Sequence, residues 1–281
     1  LLEAPLRRLP LPERFVGGDY FLVGLSVRGA PLTMLLDSGL SAATMLTPAA
    51  VERLGPAVVP GDPARASKTY GTMGSVQMQE FRLEGAEVSA GGGGAALPLG
   101  PVGGVVQDFP QRKIGEEVGI TIDGMLGQGF LRDFDAEADG ERLRLWGPGE
   151  LPEEQLGWRR LVALGLPGNL HGLLLSVPGC AEPVVGVVDT GASHTVINQK
   201  AAEVLGLAAR AADGLRDGPG VNGFGVDGSQ LWMPTVSVSN ASLCGASRVT
   251  IELGTGVRRC WSFGNCVERG ELSGNLDSIK L

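Results

Sequence analysis

The chain has 281 residues, of which 43% are hydrophobic and 19% charged, and its formal net charge is −8. That composition is ordinary for a folded globular protein with room for one large or two modest domains. The acidic balance argues against nucleic acid as a main partner, because phosphate binding needs clustered Lys and Arg. No apolar run approaches the ~20 residues of a membrane span, so none is predicted.

The cysteines and histidines give no metal pattern. Their spacings match no zinc motif, so neither a metal nor another cofactor is predicted. Two disulfides in an oxidising compartment and buried free thiols both remain open for the four cysteines, which are Cys180, Cys244, Cys260 and Cys266. The sequence begins without Met and is expected to be a fragment or processed product, so it predicts no localisation.

In chain order, the Pro- and Arg-containing residues 1–17 are predicted to form an extended N-terminal arm. Residues 20–27 and 31–36 then predict a β-hairpin. Its second strand ends on Asp37-Ser38-Gly39. A strand that delivers a lone carboxylate into the interior usually does so for chemistry, because burying the charge is costly. Thr47-Pro48 predicts the start of a short helix that ends before Gly55.

Residues 68–75 contain glycines at the expected tip of another hairpin, 33 positions after the first acid (70 − 37). Strands are predicted over residues 76–88, 102–106 and 143–146. Residues 107–119 are polar and predicted to be a loop. Residues 120–131 contain an apolar-apolar-Gly segment, Met125-Leu126-Gly127.

A Gly- and Pro-rich linker begins at residue 147 and separates the two halves. Strands 161–166 and 173–177 open the second half. The apolar run 185–188 then ends on Asp189-Thr190-Gly191.

Further along, Asn198 is expected to cap a helix over 199–205. Residues 222–225 predict a second hairpin tip at the same offset of 33 (222 − 189), followed by a strand over 231–238. His194 is interpreted as the surface of a turn.

The two acidic motifs belong to an internal duplication with an offset of 152 (189 − 37). The residues around them correspond on both sides: 25–29 match 175–179, and Thr44-Met45-Leu46 matches Thr195-Val196-Ile197. A period of this length is too long for a solenoid repeat, and it predicts two similar lobes.

Two lobes that each present Asp-Ser/Thr-Gly resemble the aspartic protease superfamily, with units more like retropepsins than pepsin halves. The resemblance implies an all-β fold with short helices and two lobes related by a pseudo-twofold axis. Lobe one is expected at 18–146, the linker at 147–169 and lobe two at 170–281. The end of lobe two is expected to be incomplete or degenerate. Residues 273–277 occupy the position of the apolar-apolar-Gly turn but do not match it, because Asp277 stands in the place of Gly127.

The resemblance also assigns roles. Asp37 and Asp189 are expected to be catalytic, sharing one proton and activating a water. The catalytic loops are expected to be supported by Ser38, Gly39, Thr190 and Gly191. Substrate-binding flaps are expected at Tyr70, Gly71, Thr72, Gly223 and Phe224.

The predicted function is therefore an aspartic endopeptidase acting on peptide or protein substrates. A monomer whose two lobes form the cleft is the simplest arrangement. One alternative is a catalytically inactive peptide-binding module, which is favoured by Leu40, where the motif expects Ala, and by the unusual tail. Another is half of an assembly whose lobes pair between chains.

Overall fold

The computed structural model describes residues 1–12, 19–62, 67–71, 74–90, 95–151, 159–162, 164–175, 184–193, 220–224, 230–234, 248–252 and 258–262. These residues form mostly β-structure with three short α-helices, which confirms the predicted all-β class. None of the helices in this described part has the length and apolar character needed to cross a bilayer.

The strands and helices of the first half are β1 Leu2–Pro5, β2 Arg7–Leu9, β3 Tyr20–Val27, β4 Ala30–Asp37, β5 Thr44–Leu46, α1 Pro48–Leu54, β6 Val58–Pro60, β7 Ser67–Gly71, β8 Gly74–Leu83, β9 Ala86–Val88, β10 Leu97–Pro98, β11 Val102–Val106, α2 Pro110–Glu117, β12 Gly124–Gly127, α3 Gln128–Leu131, β13 Asp135–Ala138 and β14 Arg142–Trp146. Those of the second half are β15 Arg159–Val162, β16 Leu164–Gly165, β17 His171–Leu175, β18 Val184–Val187, β19 Gly220–Phe224, β20 Gln230–Pro234, β21 Arg248–Glu252 and β22 Arg258–Ser262.

The hairpin of β3 and β4 carries the first acid, as predicted. Its turn uses Arg28 and Gly29, which both have positive φ (50° and 81°). Two such residues match the right-handed twist of the strands they join. The last four residues of β4 are all buried, and the strand ends at Asp37.

Strand β12 fixes the end of β4 from the other side. It pairs parallel to β4, with Gly127 opposite Asp37, and antiparallel to β5. Gly124 is required here, because a Cβ would overlap the main-chain oxygen of Met45. The predicted apolar-apolar-Gly segment is thus a central strand, and β4 has hydrogen-bonded neighbours on both edges.

Helix α1 begins as predicted, because the Thr47 hydroxyl accepts a hydrogen bond of 3.1 Å from the Ala50 amide. Two other predictions are wrong. The strand proposed over 76–88 is divided into β8 and β9 by a turn at Gly85, whose φ is +71°. The loop proposed over 107–119 contains helix α2, whose buried Ile114 attaches it to the core.

Most strands of the first half form one sheet of eleven, in which the order β3-β4-β12-β5-β11-β8 forms the centre. A large apolar cluster lies on this sheet. A second cluster lies near the first acid and includes Tyr20, Leu35, Met45, Phe109 and Ile114. The end of β4 is therefore held in packed surroundings.

A six-stranded sheet joins the two halves, in the order β1-β14-β13-β22-β21-β15. Strand β13 pairs with β22, which comes from the far end of the chain. The N-terminal arm contributes β1, and Glu3 forms ion pairs with Arg142 (2.7 Å) and Arg144 (2.9 Å) of β14.

In the second half, β18 pairs with β17, and β19 pairs with β20 as a hairpin. The strand predicted over 161–166 is two strands, β15 and β16, while those predicted over 173–177 and 231–238 correspond to β17 and β20. The predicted helix over 199–205 and the unusual segment 273–277 lie outside the described residues.

Candidate active site

Each of the two acids lies at or just after the end of a strand, one in each half of the chain. Asp37 is the last residue of β4, and Asp189 follows two positions after the end of β18. Each carboxyl group accepts a hydrogen bond from the amide of the glycine two positions later in its own loop. The Gly39 amide donates to Asp37 Oδ1 at 2.9 Å, and the Gly191 amide donates to Asp189 Oδ1 at 2.8 Å. The matched geometry brings two carboxyl groups to one place.

The hydroxyl residues beside the acids lock the two loops together. The Ser38 amide donates to Thr190 Oγ1 at 3.0 Å, and the Thr190 amide donates to Ser38 Oγ at 3.0 Å. Each hydroxyl then donates at 2.8 Å to a carbonyl of the opposite half, that of Val188 or Leu36. These four bonds join residues about 150 positions apart in sequence, and each loop makes the same two bonds as the other.

Gly39 and Gly191 allow the carboxyl group of each half to lie directly against the loop of the other half. A Cβ at Gly39 would lie 2.5 Å from Cγ of Asp189. At Gly191 a Cβ would overlap the carboxyl group of Asp37 in the same way. Each acid therefore occupies the space that a side chain on the opposite loop would need, and only glycine fits at both positions.

The electrostatics are those of a proton-sharing pair. Burial raises the pKa of Asp37 well above its ordinary value, and the neighbouring charge of Asp189 and a hydrogen bond between the two carboxyl groups raise that pKa further. The Gly39 and Leu40 amides act in the opposite direction on the same pKa. Asp37 is buried and Asp189 is half-buried, and two carboxyl groups in contact do not both ionise readily, so they hold one proton between them.

Two residues near the acids were missed by sequence reasoning. Tyr20, at the start of β3, is buried and hydrogen bonds to Ser193, four positions after Asp189. Burial is the main reason that its pKa rises to about 12, and the charges of Asp189 and Asp37 raise that pKa further. Gln111 of α2 donates from Nε2 to the carbonyl oxygen of Gly191 at 3.1 Å. Neither contact has a signal in the sequence.

The flap residues are placed only in part. Strands β7 and β8 form the predicted hairpin, with Tyr70 opposite Ser75, while Thr72 lies outside the described residues. In the second hairpin, Gly223 pairs with Leu231 and Phe224 with Gln230. His194 also lies outside the described part of the chain. The substrate-binding role of these residues therefore stays a prediction.

Within the described ranges, no group of three or more His, Cys, Asp or Glu side chains is arranged to hold a metal ion. Cys260 lies in β22, and the other three cysteines lie outside those ranges, so the disulfide question stays as the sequence left it. The chemistry that the described site offers is general acid and base catalysis by two carboxyl groups.

Comparison with known proteins relates the second half of the chain to a family. Residues 174–258, which include Asp189-Thr190-Gly191, match a family described as Aspartyl protease. Among solved structures, the chain is similar to a retropepsin-like aspartic protease from Rickettsia conorii, with 18% identity and a TM-score of 0.29 over 46% of this chain and 86% of that one. This structural likeness is too slight to carry an argument. No curated protein gives a significant match.

Proposed function

We propose that this chain is an aspartic endopeptidase that hydrolyses peptide bonds with a water molecule activated by Asp37 and Asp189. The observation that carries the proposal is the hydrogen-bonded contact of the two carboxyl groups at the crossing of two matched loops. The family match over residues 174–258 supports it independently.

In the proposed reaction, the ionised member of the pair removes a proton from the water, which then attacks the scissile carbonyl carbon. The protonated member donates a hydrogen bond to the carbonyl oxygen and stabilises the developing negative charge. Collapse of the tetrahedral intermediate returns a proton to the leaving nitrogen. The raised pKa of Asp37 means that the pair retains a shared proton in the free enzyme.

The substrate is proposed to be an extended peptide. The hairpins at Tyr70 and Phe224 belong to the two halves, and an extended chain between them would gain main-chain hydrogen bonds of the kind formed at a sheet edge. Side-chain preference is a separate property of the subsites.

A catalytically inactive peptide-binding module is the second candidate, and Leu40 remains the observation that favours it. Leu40 is buried, and its carbonyl oxygen accepts a 2.7 Å hydrogen bond from the Gln128 amide. A larger side chain than the expected Ala is thus accommodated next to the first loop. A binding module gains nothing from two carboxyl groups in contact, because their mutual repulsion costs free energy.

Pairing of lobes between chains is less favoured, because one chain supplies both acids and both halves of the Ser38 and Thr190 lock.

The test is cleavage of casein and of a mixed peptide library across pH by the wild type, Asp37→Asn and Asp189→Asn. Each amide variant should lose at least about 10³-fold in kcat/KM, because neither can hold one proton between two carboxyl oxygens. Asp133→Asn is the matched control, since the Asp133 carboxylate is exposed and lies in the turn that follows α3. Wild type that binds a statine-type peptide but cleaves nothing at any pH would favour the binding module.

A further inference from the structure

The two catalytic loops differ in how their own strands support them. Strand β4 has β3 on one edge and β12 on the other. Strand β18, as far as the described residues extend, pairs with β17 alone. Val185 of β18 is also 52% exposed, whereas the last four residues of β4 are buried, so contacts from the first half matter more to the second loop.

The first such contact is made by Tyr20. Its ring lies in the same buried cluster as Leu35 and Met45, so the side chain is fixed, and only 5% of the residue is exposed. The hydroxyl reaches Ser193 in the second loop. Both acids act on the ionisation of this phenol, which indicates that it stands close to the carboxyl pair.

The second contact is made by Gln111. Its Nε2 donates to the Gly191 carbonyl, two residues after Asp189 and on the opposite side of that acid from Val188. Helix α2, which carries Gln111, is attached through Phe109 and Ile114 to the cluster that holds Tyr20. The two side chains therefore extend from one packed unit of the first half.

We propose that Tyr20 and Gln111 are positioning residues through which the first half of the chain fixes the second catalytic loop, and with it Asp189, against Asp37. The Ser38 and Thr190 lock is reciprocal, whereas these two contacts run in one direction, from the first half to the second. The kinetic consequences rest on the proposed protease function, but the contacts and their effect on the acid pair do not.

Loosening the second loop should separate the two carboxyl groups. Within the described residues, the charge of Asp189 raises the pKa of Asp37, and the charge of Asp37 raises the pKa of Tyr20. Separation weakens the repulsion and the hydrogen bond that retain the shared proton, so the proton should leave at lower pH. The basic limb of the pH profile of kcat/KM should move to lower pH, and kcat should fall more than KM rises, since the acids act in the transition state.

The experiment compares Tyr20→Phe, Gln111→Ala and the double variant with wild type. Tyr20→Phe removes one hydroxyl and keeps the ring in the cluster, so the fold should survive. Each single change should lower kcat about five- to tenfold, as expected for the loss of one hydrogen bond, and the double variant by about 10²-fold. Lys113→Ala, on the exposed side of the same helix, and Ser26→Ala, on the same strand as Tyr20, should leave kcat and the pH profile unchanged.

A second measurement does not need activity. Infrared titration of ¹³C-carboxyl aspartate in wild type and Asp37→Asn identifies the highest-titrating carboxyl, and its midpoint should fall in Tyr20→Phe and in Ser193→Ala. The double variant of Tyr20 and Ser193 should show no further fall, because both changes remove one bond.

The two measurements separate the possible failures. If the wild type cleaves nothing but the carboxyl midpoint moves as expected, the protease proposal fails and the positioning proposal stands. If kcat, the pH profile and the midpoint are all unchanged in Tyr20→Phe and Gln111→Ala, the positioning proposal is overturned, whether or not the chain is a protease. Equal loss of thermal stability without those changes would also overturn it, because it would indicate a structural role only.

Discussion

A methyl group added at Gly39 tests the crossing of the two loops most directly. In Gly39→Ala the new Cβ would lie 2.5 Å from Cγ of Asp189 and 2.6 and 2.7 Å from its two oxygens. A comfortable contact between carbon atoms needs roughly 3.5 Å, so the acid and the loop must separate by about 1 Å. The Ser38 and Thr190 lock resists that separation, since its bonds begin at the residues next to Gly39 and Asp189.

The expected result has two parts. A displacement of about 1 Å at a catalytic group costs on the order of 10²-fold in rate, so kcat/KM should fall by at least that factor. Overpacking should lower the free energy of unfolding by about 1–3 kcal/mol, which corresponds to a fall in Tm of roughly 2–10 °C. Activity is measured with a fluorogenic peptide at 25 °C, where the variant remains folded, and Tm by calorimetry.

The matched control is Gly103→Ala in β11, where a Cβ would have no atom within 4 Å. It should change neither rate nor Tm appreciably. Gly191→Ala should behave like Gly39→Ala, because its Cβ would meet the Asp37 carboxyl. Retention of more than about a tenth of wild-type kcat/KM in Gly39→Ala, with the control normal, would refute the argument that the pair depends on this crossing.

Four further outcomes follow from the same contacts. The folded-state pKa of Asp37 lies above its unfolded value of 3.8, so its stabilising contribution is complete at low pH and is lost as pH rises through the folded pKa. The difference in Tm between wild type and Asp37→Asn should therefore fall from pH 4 upward. A difference in Tm that does not change with pH contradicts this. Ultraviolet titration of the folded protein should show one of its two tyrosines ionising at about pH 12, a step absent from Tyr20→Phe; a titration completed by pH 11 would rule out the burial described for Tyr20. Tyr70→Ala should lower peptide turnover while Tm changes by less than about 2 °C, and the reverse pattern would place Tyr70 in the core. Hydrogen exchange should be faster in residues 185–189 than in 33–37, because Val185 of β18 is 52% exposed whereas the last four residues of β4 are buried; equal protection would show that the second strand is supported as well as the first.

Sequence rules predicted the hairpins and helix starts that are set by residues close together in the chain. The β3 and β4 hairpin has two runs of apolar residues joined by a turn at Gly29, and α1 begins with Thr47 and Pro48 at the positions where a helix start favours them. The meeting of Asp37 and Asp189 was predictable because the sequence contains the Asp-Ser/Thr-Gly motif twice.

Helix α2 was missed for a physical reason. It begins at Pro110 after Phe109, which gives no side-chain cap, and only Ile114 and Gly115 are buried. With so few apolar positions there is no helical period to detect, and the helix depends on tertiary contacts of Phe109 and Ile114. The contact of Gln111 with Gly191 follows from that helix, so it could not be predicted either.

The contact of Tyr20 with Ser193 was missed because it joins residues that are far apart in the sequence. Tyr20 meets Ser193 only because β3 lies beside β4 and the second loop crosses the first. Nothing in the residues near Tyr20 distinguishes it from an ordinary apolar residue at a strand start. The pairing of β12 between β4 and β5 is of the same kind, although its Gly124 and Gly127 marked a close backbone approach.

The six-stranded sheet has a consequence for how the chain folds. Leu2 of β1 pairs with Leu145, 143 positions later (145 − 2), and Ala136 of β13 pairs with Arg259, 123 positions later (259 − 136). Pairings so distant in sequence must close long loops before they gain any stabilisation, so folding should be slow for a protein of this size. During synthesis, one edge of β13 stays unpaired until β22 has left the ribosome. An unpaired strand edge can form hydrogen bonds with another chain. The first half expressed alone should therefore aggregate through β13, and a peptide covering residues 248–262 should suppress that aggregation by occupying the edge.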